Sequence, residues 1–129
     1  MTEFVGGLSQ AEYMARVRDL PQGRCLVVAV DVGKRSAMGL IADHCERISG
    51  EPVDFALTRP GAEALELAIR SAVRLNDAAS VRVGIEAAGH YHRALAARLW
   101  EGGFDVVELI RTRSSWLAGR TWPDTGRAT

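Results

Sequence analysis

Cys25-Leu-Val-Val-Ala-Val-Asp31 is the stretch from which the fold can be read. Cys25 to Val30 carry no charge, and three of the six are β-branched valines. An apolar run without polar alternation is the pattern of a strand covered on both faces. Asp31 ends the run, and Gly33 follows where the chain turns. Val81-Arg-Val-Gly-Ile85 is a second such run, and it too ends in a carboxylate, Glu86, with Gly89 beyond. Each predicts a buried strand that delivers one acid at its C-terminal end. If the two strands are neighbours in one sheet, Asp31 and Glu86 converge.

Working outward, the patterns define an ordered succession of elements. Residues 8–20 predict a short amphipathic helix, with Ser9 and Glu12 spaced as a capping box and Pro21-Gln-Gly23 as its stop. Residues 36–43 predict a second strand, 44–50 a polar turn, and 51–58 a third strand with Val53, Phe55 and Leu57 on one face. Pro60 opens a helix whose Leu65, Ala68, Ile69, Ala72 and Val73 share one face, and Asn76-Asp77 ends it. A strand over 80–86 follows. A helix over 90–101 comes next, with Tyr91, Leu95 and Leu99 facing the core and Arg93 and Arg98 solvated. Gly102-Gly103 stops it before a fifth strand over 104–109. Three strands on short turns, then helix, strand, helix, strand, predict an α/β fold. A right-handed crossover would set the first and fourth strands side by side.

The bulk composition bounds the function. The chain has 129 residues, 47% hydrophobic and 25% charged, which suits one domain with a real core. Its formal net charge is zero, so no global electrostatic footprint for nucleic acid exists, although a local basic patch remains open. Every basic residue except Lys34 is arginine, a bias expected of a GC-rich coding sequence and also suited to phosphate contacts. Cys25 and Cys45 lack the spacing of a zinc site and are expected to be free thiols. No apolar stretch approaches the roughly 20 residues that span a bilayer. The first ten residues do not read as a signal peptide, so no membrane association and a cytoplasmic location are expected. Residues 110–129 lack periodicity and hold four basic groups against one acid, where 1–108 hold twelve against fifteen. They predict a divergent, disordered tail or a change of reading frame. The expected organisation is therefore a helical extension over 1–23, a domain over 24–109 and this tail.

Three segments carry a family resemblance: Asp31-Val-Gly-Lys-Arg-Ser36, Thr58-Arg-Pro-Gly61 and Gly84-Ile-Glu-Ala-Ala-Gly-His-Tyr-His92. In that order they resemble the N-terminal part of the DEDD, RuvC-like transposases of the bacterial insertion-sequence one-ten group, relatives of the Piv-type DNA invertases. The resemblance runs from about Cys25 to Leu109. It implies a ribonuclease H-like mixed sheet of five strands with flanking helices, incomplete at the C-terminus. It also implies a catalytic, metal-binding Asp31 and Glu86 as the first two acids of a tetrad, with Mg²⁺ as cofactor. DNA is the implied partner, with a guide RNA and a second copy or full-length transposase as further ones. Lys34, Arg35 and His90 are candidate nucleic-acid contacts. Their alternatives are solvated loop positions for the two cations and packing or capping for the histidines.

The family's last two acids lie in a Lys-(Thr/Ser)-Asp-x-x-Asp segment, and nothing in 110–129 matches it. Asp124 follows Pro123, and three residues on stands Arg127. The family's C-terminal domain with its nucleophilic serine has no counterpart here. The expectation is thus a truncated or frame-shifted transposase fragment, weak in metal affinity and inactive in strand transfer. Competing readings are a small RuvC-like resolvase, an actin-like sugar kinase, and a non-catalytic binding or dimerisation module. The last would expose an apolar patch on the rear of the sheet.

Overall fold

The computed structural model describes residues 9–86, 90–111 and 116–121. Helix α1 (Gln10–Val17) opens with the capping box that the sequence implies. The Ser9 hydroxyl accepts the Glu12 N–H at 3.1 Å, and the Glu12 carboxylate accepts the Ser9 N–H at 3.0 Å. The helix is shorter than the 8–20 expected and ends ahead of Pro21.

Strands β1 (Cys25–Val32), β2 (Ser36–Asp43) and β3 (Val53–Ala56) form an antiparallel meander. The third is only four residues long, because Pro52 has no N–H to extend the ladder. Helix α2 (Arg59–Asn76) begins at Thr58, whose hydroxyl accepts the Gly61 N–H at 3.2 Å, and ends at Asp77 in the left-handed region. Strand β4 (Ser80–Glu86), helix α3 (Arg93–Glu101) and strand β5 (Asp105–Arg111) follow, and both strands run parallel to β1.

A sixth strand, β6 (Trp116–Thr121), pairs antiparallel with β5, with a register shift at Ile110/Arg111. This corrects the reading of 110–129 as free of strands. Leu117-Ala-Gly119 breaks the sequence pattern of a strand, but the open backbone edge of β5 supplies the partners that pattern cannot. Residues 112–115 and 122–129 of the supposed tail lie outside the described residues, and so do the first eight residues of the chain.

The six strands lie in the order β3-β2-β1-β4-β5-β6. Helices α2 and α3 supply the partners of one face. Leu26, Val28, Val30, Val83, Ile85 and Val106 meet Leu65, Ile69, Leu95 and Leu99 in the main core. Full burial of each such side chain contributes about 1.5–3 kcal/mol. α1 packs on the opposite face, where Tyr13 and Val17 bury Cys25 and meet the half-buried Val27. Further along that face Ala29 is exposed, Leu40 half-buried and Met38 43% exposed, which leaves an open strip on the sheet.

Two expectations for α3 are corrected. The helix starts at Arg93, so Tyr91 sits in the preceding turn, out of phase with Leu95 and Leu99, and is exposed. Arg98 is not a solvated cation: it bridges to Glu66 at 3.1 Å and Glu63 at 3.7 Å, fastening α3 to α2. Among the described residues no helix is long and apolar enough to cross a membrane.

Candidate functional site

β1 and β4 are parallel neighbours, in register from Cys25↔Ser80 to Val30↔Ile85. Asp31 and Glu86 each stand one residue beyond that last pair. Val30 and Ile85 point into the main core, and side chains alternate along a strand. Asp31 and Glu86 therefore share the opposite face, at one level, on strands about 4.8 Å apart. Asp31 is exposed and Glu86 half-buried. The juxtaposition follows from β4 pairing beside β1 rather than beside β3.

The same row extends further than the sequence suggests. Asp31 pairs with Met38, Met38 with Asp54, and Glu86 with Leu109. Asp54 is thus a third acid on this face, at about 10 Å from Asp31 by strand spacing. Its membership was hidden in the sequence because it depends on the β2–β3 register. Among the described residues no group of three or more His, Cys, Asp or Glu side chains is close enough to hold a metal ion, so Asp54 stands apart.

Lys34 and Arg35 are exposed in the turn between β1 and β2, directly after Asp31. Gly33 N–H donates to the Ser36 carbonyl at 2.8 Å, and Leu57 N–H donates to the Arg35 carbonyl at 2.8 Å. The first bond closes the turn and the second ties it to the β3–α2 junction at the same end of the sheet. His90 is exposed, with its ring 4.9 Å from that of Tyr91.

His92 behaves differently from His90. It occupies the cap position of α3 without a side-chain capping bond, and its ring is buried against Glu108 of β5, to which it is hydrogen-bonded. No pattern in the sequence linked this histidine to that acid, since the pairing depends on α3 folding over β5.

A second buried polar group lies lower on the face of the carboxylates. Arg82 forms an ion pair with Asp105 at 3.6 Å and stacks 4.5 Å from the centre of the Tyr13 ring. Burial draws the Arg82 guanidinium below its usual range, opposed by the Asp105 carboxylate and by Tyr13. Burial also pushes the Tyr13 hydroxyl up. The group fixes α1 to the sheet.

Two adjacent carboxylates, one exposed and one half-buried at the end of a central strand, suit a hard divalent cation. Mg²⁺ takes one or two carboxylates and keeps its remaining octahedral positions for water and phosphate. Asp31 and Glu86 fit that donor set, and the open strip beside them leaves room for those waters. The two cysteines are free thiols, Cys25 buried and Cys45 exposed, and they lie away from this end. No protein-family model matches the chain, and no curated protein matches it.

Proposed function

We propose that this chain is a ribonuclease H-like domain of the RuvC type, from the N-terminal part of an insertion-sequence transposase acting on DNA. The observation that supports it best is the register of β1 on β4, which sets Asp31 beside Glu86 on one face. The strand order β3-β2-β1-β4-β5 is compatible with that fold.

In this reading Asp31 and Glu86 hold a Mg²⁺ ion. When bound, such an ion polarises a phosphodiester and stabilises the leaving oxygen. Asp31 presents its carboxylate to solvent, where an ion and a phosphate can approach together. Glu86, half-buried at the end of a central strand, is held more firmly and sets the position of the pair. Lys34 and Arg35, exposed in the turn three and four residues after Asp31, would offset the carboxylates' charge toward an incoming phosphate. Two carboxylates bind a divalent ion weakly, so the chain alone is not expected to carry out strand transfer.

Titration with Mn²⁺, followed by paramagnetic broadening of backbone amide signals, tests the assignment. Broadening is expected to centre on the ends of β1 and β4, and to disappear in both Asp31→Asn and Glu86→Gln. Broadening that survives both substitutions would overturn it.

A further inference from the structure

The geometry points to a binding groove for one unpaired nucleotide of a DNA strand, between the β3–α2 junction and α3. This inference rests on the reading of the carboxylate end as a surface for DNA, and it adds a preference for single strands over duplex.

The groove has a volume of about 320 Å³, at the lower end of the range of small-molecule sites. Phe55, Leu57, Ala62 and Leu95 make its apolar walls, and Tyr91 stands at its edge, 39% exposed. An aromatic ring left at the rim of an apolar slot is a surface on which a flat base can stack, whatever its sequence. His90 lies against the same tyrosine.

The polar groups around the groove fit a nucleotide better than a purely apolar guest. Arg98 lines it, with its guanidinium held by Glu63 and Glu66. Arg59 lines the groove and is exposed. The neighbouring acids Glu63 and Glu66 are both engaged by Arg98. That leaves the exposed Arg59 as the groove's uncompensated positive charge for a phosphate.

The helix terminus itself offers little. Pro60 has no N–H, Gly61 donates to the Thr58 hydroxyl, and Ala62 donates to the Thr58 carbonyl. Phosphate contact therefore falls to the arginine side chains.

The groove and the carboxylates lie at the same end of the sheet. The turn after Asp31 is bonded to Leu57 in the groove wall, and Tyr91 follows Glu86 by five residues. The groove opens on the α2–α3 side and the carboxylates lie on the other face. A strand passing over this end of the sheet can place a phosphate near Asp31 on one side while an unpaired base enters the groove on the other.

Fluorescence anisotropy with a labelled single-stranded oligothymidylate and with a matched duplex, both in EDTA, tests the proposal. Tighter binding of the single strand is expected. Tyr91→Ala should weaken it about tenfold or more, with Tyr91→Phe retaining it. Arg59→Gln should weaken it and reduce the salt dependence by about 0.7 in log–log slope, one phosphate contact. Leu75→Ser, on an exposed residue distant from the groove, serves as the control. Equal affinity for duplex, absence of single-strand binding, or affinity unchanged in both Tyr91→Ala and Arg59→Gln would overturn it. Because no metal is present, the assay separates this inference from the carboxylate assignment. Single-strand binding lost in Tyr91→Ala, beside a failed Mn²⁺ titration, would leave the groove standing and the metal reading refuted.

Discussion

Replacing Gly61 by alanine sets two physical effects against each other, and the structure decides which wins. Alanine is the better helix former by about 1 kcal/mol, so propensity alone predicts that Gly61→Ala stabilises the first turn of α2. The surroundings say otherwise. A Cβ on Gly61 would lie 1.9 Å from the Ala56 carbonyl oxygen, 2.8 Å from its carbon and 3.0 Å from its nitrogen. Ordinary contact begins at roughly 3.5 Å, so the first turn must retreat from β3 by more than an ångström, and its neighbour is backbone that cannot swing aside. That retreat strains or breaks the Thr58 cap, worth about 1 kcal/mol. It also loosens Phe55 and Ala62, at an overpacking cost of about 1–3 kcal/mol. The net expectation is a loss of about 1–3 kcal/mol, or roughly 5–10 °C in Tm. Urea unfolding of wild type and Gly61→Ala, followed by circular dichroism, measures it. A variant as stable as wild type, or more so, would refute the argument from close approach and leave propensity as the governing term.

Two further outcomes follow from the buried polar groups. Asp105→Asn removes the countercharge of a guanidinium that is itself buried, and should cost about 3 kcal/mol. Arg82→Met in the same background should recover much of that loss, and failure to recover would mean that the pair is not what the substitution disrupts. Asp43 governs acid sensitivity. Burial by itself would raise its carboxyl, but N–H donors from Arg47, Gly23 and Cys45 at 2.8–2.9 Å, with His44 nearby, outweigh burial and hold it below the usual range. A carboxyl lowered by folding contributes stability above its unfolded pKa of about 3.9, and that contribution is lost as pH falls through the lower folded value. Unfolding measured from neutral pH down into this window should show a steep decline in wild type and a shallower one in Asp43→Asn. Parallel curves would count against the assignment.

What was legible in the sequence is what local pattern can carry. The uninterrupted valines of β1, the Ser9–Glu12 box and the spacing of Leu65, Ile69 and Ala72 each name their element without reference to the rest of the chain. The placement of Asp31 and Glu86 at strand ends was equally local, and their adjacency needed only the assumption that β4 enters beside β1. What was not legible depends on partners distant in sequence. Asp54 reaches the carboxylate row through the β2–β3 register, His92 is buried by Glu108, and Arg98 is drawn from solvent by two acids on α2. β6 was missed because its alanine and glycine weaken the strand pattern, while an unfilled edge of β5 leaves no trace in the sequence of 116–121. Tyr91 was misplaced by an error of phase, since a helix begun three residues early turns an exposed ring inward.

The position of β1 in the middle of the sheet has a consequence for the order of assembly. The meander of β1, β2 and β3 closes over short turns, and its loop entropies are small. The contact that brings Asp31 to Glu86 joins Val30 to Ile85, across β2, β3 and the whole of α2. Closing that loop costs more entropy than any turn of the meander, and helix formation in α2 shortens the distance to be closed. The two carboxylates therefore meet only when the longest-range pairing of β1 is made. A nascent or partly unfolded chain can hold a well-formed hairpin with Asp31 near its tip and still have no second acid beside it.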